Sequence, residues 1–121
     1  MDLEKWLPLR VEGQEGNVIT GIGVSPGQVS ARARVLRGPE DFGQMVHGDV
    51  LVAAITTPAW TPLFALAGGV VTDVGGPLSH GSIVAREYGI PAVLGTGVAT
   101  RRVQNDRWLV VDGTVGRVTL G

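Results

Sequence analysis

The chain has 121 residues, with 10 Lys or Arg against 11 Asp or Glu and a formal net charge of −1. That is enough for one domain with a core and too little for multidomain machinery. The balanced charge, with Lys5 the only lysine, excludes a polybasic nucleic-acid footprint, and the absence of cysteine excludes disulfides, thiolate zinc sites and a thiol nucleophile.

Residues 1–17, which end in Glu12-Gly13-Gln14-Glu15-Gly16-Asn17, read as a leader or linker, and 18–121 as the folded domain. The opening Met1–Trp6 lacks the basic start and apolar run of a secretion signal. The nearly apolar stretch from Pro62 to Val71 is short for a membrane span and is interrupted by Gly68 and Gly69. A cytoplasmic location is therefore expected. Val18–Val24 suits a first strand, and Ser25-Pro26-Gly27 a turn. In Gln28–Val35 apolar and polar residues alternate, which puts Val29, Ala31, Ala33 and Val35 on one buried face.

Asp49–Ile55 is a continuous apolar run, as in a strand covered on both faces, and Val70–Thr72 and Pro91–Leu94 are shorter candidates. A helix is expected from Pro58 or Ala59, carrying Trp60, Leu63, Phe64 and Leu66 and stopping at Gly68-Gly69. A second runs from Ser79 or His80 to Tyr88, with Gly89 as its C-terminal cap and Pro91 preventing continuation. Trp108–Asp112 and Val115–Leu120 flank Asp112-Gly113-Thr114, a hairpin signal.

Of the two histidines, His47 lies in a loop entering a strand and reads as an ordinary surface residue. His80 lies where a strand end, the Gly75-Gly76 loop and a helix start meet. Unpaired N–H groups and the positive end of the helix dipole gather there, a setting for an anion such as a phosphoryl group. The glycines let backbone approach closely, and neutral imidazole has a lone pair for attack. Rival motifs fail: a P-loop needs a lysine, and none follows Lys5. Ser79 and His80 are neighbours about 100° apart on a helix, so they do not face each other as nucleophile and base. Two histidines without cysteine make a poor metal set, and none is assigned. On residues alone, a helix-start histidine beside turn glycines stands level with an anion site.

The run Thr72-Asp73-Val74-Gly75-Gly76-Pro77-Leu78-Ser79-His80, continuing through Ile83-Val84-Ala85-Arg86-Glu87 to Gly89-Ile90-Pro91-Ala92-Val93 and Gly95, resembles the phosphohistidine swivelling domain of phosphoenolpyruvate-utilising enzymes. Gly23–Gly27, Gly48–Val52, Thr57–Pro62 and Val111–Gly113 extend the likeness over about residues 20–120. The resemblance implies an α/β fold, a compact β/β/α sandwich with short helices and the active histidine at a helix N-terminus. It makes His80 the phosphoryl carrier through Nε2. Thr61 would hydrogen-bond the ring or its phosphate, though a helix cap or packing role is open to it. Gly75, Gly76 and Ser79 would line the phosphate.

Arg86, six residues beyond His80 and about 9 Å along the axis, is expected to anchor the helix by an ion pair; Glu87 reads as solvated and Asp73 as structural. Several relatives place an arginine after the two glycines, whereas Pro77 and Leu78 stand here, closer to the synthase and antibiotic-kinase branch than to enzyme I. Backbone amides must then supply more of the phosphate's stabilisation. The domain itself would bind no cofactor. Magnesium and ATP or phosphoenolpyruvate are expected on a partner domain or subunit, with neither nucleic acid nor membrane as partner and with self-association open. The competing reading is a non-catalytic regulatory or binding domain that keeps the fold.

Overall fold

The alternating segment Gln28–Val35 builds the longest strand, and that strand joins two halves of different character. The computed structural model describes residues 16–121. Within that range run strands β1 (Val18–Thr20), β2 (Ile22–Ser25), β3 (Gln28–Val35), β4 (Val50–Ala53), β5 (Gly69–Thr72), β6 (Ala92–Leu94), β7 (Trp108–Asp112) and β8 (Arg117–Leu120). Helices α1 (Thr61–Phe64), α2 (His80–Tyr88) and α3 (Ala99–Arg102) interleave with them. The strand order is β1-β8-β7-β3-β4-β5-β6-β2. The first part of β3, Gln28–Arg32, pairs antiparallel with β7; its last part, Ala33–Val35, pairs parallel with β4. Only Gly21 separates β1 from β2, yet they stand at opposite ends of that order, so the sheet curls back on itself.

The apolar run of β4 is continuous because both its faces are covered. Leu51 and Ala53 join Val70, Ala92 and Leu94 under the helical layer of Trp60, Leu63, Phe64, Val84 and Ala85. Val50 and Val52 join Val71 and Val93 against Ile19, Ala33, Leu109, Val111 and Val118 of the antiparallel half. The result is a sheet-on-sheet-on-helix sandwich, the expected β/β/α arrangement of a mixed α/β domain. Each fully buried Val or Leu contributes about 1.5–3 kcal/mol relative to exposure. Along β3, Ala33 is fully buried, and Val29, Ala31 and Val35 are partly buried against the second layer.

Several boundaries differ from the sequence expectation. The strand over Val18–Val24 breaks at Gly21, whose N–H donates to Gly116 O at 2.9 Å; a β-carbon there would lie 2.6 Å from Leu94 O. β4 ends at Ala53, leaving Ile55 half exposed. The helix expected from Pro58 to Ala67 is a 3₁₀ turn, Pro58–Trp60, followed by the single turn α1. Pro62 has no N–H for the Pro58 carbonyl, so a continuous α-helix cannot run through. A 3₁₀ turn at Pro39–Gln44 and α3 have no counterpart in the sequence reading. α2 stands as expected, and the β7–β8 hairpin forms with its second strand starting at Arg117 and not at Val115. The leader reading falls on residues 1–15, outside those described, while the Asn17 carbonyl accepts from Leu120 N at 2.7 Å. Among the described residues no helix is long and apolar enough to cross a membrane.

Candidate functional site

The C-terminal end of β5 feeds the loop 73–79, which turns through Gly75 at φ 142° into α2. Ser79 occupies the N-cap in extended conformation, but its hydroxyl donates back to Gly76 O at 2.7 Å and accepts from no amide of the helix. The N–H groups of His80, Gly81 and Ser82 consequently find no acceptor among the described residues. Four orphan donors at a helix start form a site of positive potential, and here the side chain best placed to quench it is turned away. At the other end Gly89 takes φ 69°, and Ile90 N returns to Ala85 O at 3.1 Å, closing the helix.

Arg86 does anchor α2, but not by the expected ion pair. Its guanidinium donates to Val24 O at 3.3 Å, Pro77 O at 3.3 Å and Ser82 Oγ at 2.6 Å, and Ser82 Oγ in turn donates to Pro77 O at 2.9 Å. The cation meets carbonyls because β2 and the loop before α2 present them on that side of the helix. An Arg86→Met variant should lose about 1–2 kcal/mol of stability, read as a lower denaturation midpoint with an unchanged m-value.

The His80 ring is half-buried and held from two sides. Nε2 lies 3.2 Å from Thr61 Oγ1, and Phe64 meets the ring edge-on, centroids 6.1 Å apart and planes at 87°. Nδ1 is buried without a partner. Thr61 Oγ1 makes no capping bond to α1, so of the roles open to this side chain the contact with the histidine is the one its hydroxyl takes. Beside the ring is a cavity of about 180 Å³, ample for the four heavy atoms of a phosphoryl group. His80, Ser79, Gly81, Thr56, Thr72 and Leu94 are among its walls.

Of the residues singled out in the sequence, His80 and Ser79 line the cavity and Thr61 meets the ring from elsewhere. Gly75 and Gly76 shape the turn behind Ser79: a β-carbon on Gly75 would touch Ser79 Oγ at 3.3 Å, and the Gly76 carbonyl holds that hydroxyl. Asp73 is structural, accepting from Thr100 N at 2.9 Å and from the Thr100 hydroxyl. His47 lies in an exposed turn, and Glu87 is exposed. Thr56, a wall of the cavity, went unread; it stands just before the Thr57–Pro62 motif. Among the described residues no three His, Asp or Glu side chains gather where they could hold a metal ion.

A strand, a glycine loop and a helix opening on a histidine, carried on a curled mixed sheet, define a mixed α/β domain with a candidate anion site at a helix start. Comparison with known proteins agrees. Residues 45–116 match the family described as PEP-utilising enzyme, mobile domain, and the chain belongs to that family. It is 48% identical over 104 residues to an uncharacterized phosphotransferase, YvkC, of Bacillus subtilis, covering 86% of this chain and 12% of that protein. It is 42% identical over 129 residues to rifampicin phosphotransferase of Bacillus cereus, covering 95% of this chain and 15% of that protein. Among solved structures, the solution structure of an Enzyme I protein superposes with a TM-score of 0.58 at 35% identity, over 66% of this chain and 33% of that one. The chain thus spans less than a sixth of the length of these two relatives.

Proposed function

We propose that this domain carries a phosphoryl group on His80 Nε2 between a donor site and an acceptor site on partner domains or subunits. The observation that carries the reading is the placement of His80 at the unsatisfied N-terminus of α2, beside a cavity of about 180 Å³, with Nε2 held by Thr61. The donor is ATP or phosphoenolpyruvate, bound with magnesium on the partner, in the cytoplasm.

In the first transfer the Nε2 lone pair attacks phosphorus in line as the bond to the donor's leaving oxygen breaks, and the proton on Nδ1 stays with the ring. In the second, an acceptor oxygen or nitrogen attacks the same phosphorus and the N–P bond breaks, returning imidazole. Positioning and electrostatics dominate phosphoryl transfer, so the chain's own contributions are the ring orientation set by Thr61 and Phe64 and the amides of α2. Pro77 and Leu78 add no cation; Leu78 is 90% exposed beside the histidine.

The test mixes the protein with labelled ATP or phosphoenolpyruvate and the donor domain, then maps the label by peptide mass spectrometry. His80 should carry it, in a form stable to base and lost in acid. Thr61→Val should slow label uptake about tenfold, since it removes the hydroxyl that orients Nε2 but fills the same volume. Its denaturation midpoint should hold. Unchanged kinetics would remove Thr61 from the site.

A further inference from the structure

The cavity beside His80 contains a hydroxyl that has no work within the fold. Thr56 is 6% exposed, it lines that cavity, and its side chain makes no hydrogen bond to any described residue. Valine would fill the same volume without a hydroxyl, whereas this hydroxyl borders the cavity, where an oxygen of a bound group can accept from it. The hydroxyl also has a definite place. A β-carbon on Gly81 would stand 2.8 Å from Thr56 Oγ1, so Oγ1 lies directly against the first turn of α2. That turn is where the amides of His80, Gly81 and Ser82 lack acceptors. A glycine at 81 is what allows the approach.

We propose that Thr56 Oγ1 and the first amides of α2 together form the subsite for the phosphoryl oxygens, with Thr56 donating to an oxygen of the transferring group. This rests on the carrier role of His80. It assigns to Thr56 the stabilisation that the uncharged Pro77-Leu78 loop does not supply. Hydroxyl and amide donors fixed before the ligand arrives need no reorganisation during transfer, which is where such groups have their largest effect.

The experiment needs no partner. Phosphoramidate, as ⁺H₃N–PO₃²⁻, phosphorylates imidazole directly: the Nε2–P bond forms, the P–N bond of the donor breaks, ammonia leaves, and the ring keeps its Nδ1 proton. Formation of phospho-His80 in the whole chain is followed by ³¹P NMR and peptide mass spectrometry. In parallel, inorganic phosphate is titrated while the amide resonances of Gly81 and Ser82 are observed. Thr56→Val should lower the rate about tenfold or more and weaken the phosphate-induced shifts, and Thr56→Ser should recover most of both. Far-UV spectra and denaturation midpoints establish that the variants fold. Equal rates and equal phosphate affinities in wild type and Thr56→Val would overturn the subsite while leaving His80 as carrier. Phosphate shifts that need Thr56, with no adduct ever forming on His80, would support the subsite and overturn the carrier.

Discussion

Replacing His80 with alanine should abolish the acid-labile adduct altogether while leaving the fold intact. No second imidazole or thiol stands beside the α2 N-terminus among the described residues to take the group. The chain has no cysteine, and His47 lies in an exposed turn entering β4, away from the α2 N-terminus. Loss of a nucleophile removes the covalent intermediate itself, so the expected effect is complete loss of label and not a slower approach to the same end point. The stability consequence is the more discriminating one. The ring loses its edge-on contact with Phe64, but the variant also removes Nδ1, a buried nitrogen with no partner. These effects oppose each other, so the net change should lie within about 1 kcal/mol. A residue kept for packing would cost more. Label persisting in His80→Ala would sink the carrier reading, and a large fall in stability would return His80 to a structural role.

The parts of this fold that were legible in sequence are those whose causes are local. The C-terminal end of α2 could be placed to the residue because its stop signals sit next to it: Gly89 takes the left-handed conformation and Pro91 bars extension. β3 could be read from its period of two, and β4 from a run with no polar break. Elements held by distant partners were not legible. α3 is only four residues long and starts where the Thr96 hydroxyl accepts from Ala99 N at 3.1 Å and Asp73, just past β5, accepts from Thr100 N. Arg86 shows the same limit in chemistry: sequence supplies a cation but does not say that carbonyls of Val24 and Pro77 will face it. The histidine and its threonine, 19 residues apart, were paired through the resemblance, and the structure has them at 3.2 Å. Thr56 was missed because a buried threonine in the loop just past an apolar run looks, in sequence, like any β-branched residue filling a core.

The tightest constraint on the scaffold lies far from the histidine in sequence. Gly23 and Gly113 belong to two motifs about ninety residues apart, and they cross in space: a β-carbon on Gly23 would sit 2.3 Å from Gly113 O, and one on Gly113 would sit 1.9 Å from Ser25 O and 2.8 Å from Ala92 N. All of these neighbours are backbone, so none can swing aside as a flexible side chain would. The crossing is fastened by Gly113 N to Gly27 O at 2.8 Å and by Gly27 N to Thr114 Oγ1 at 3.0 Å. Gly113→Ala must therefore separate the β7–β8 hairpin from β2 and β6 and should cost about 3 kcal/mol or more, a large part of a typical domain's 5–15 kcal/mol. Gly43→Ala is the matched control, because a β-carbon there meets nothing within 4 Å; it should change stability by no more than about 0.5 kcal/mol. Denaturant unfolding of both variants makes the comparison, and a wild-type midpoint for Gly113→Ala would show that the crossing is loose. The effect should reach the site as well. β2 supplies the Val24 carbonyl that holds Arg86, and β6 ends in Leu94, a wall of the cavity beside His80. Folded Gly113→Ala protein should accordingly take up label more slowly than Gly43→Ala, although neither substitution touches the histidine.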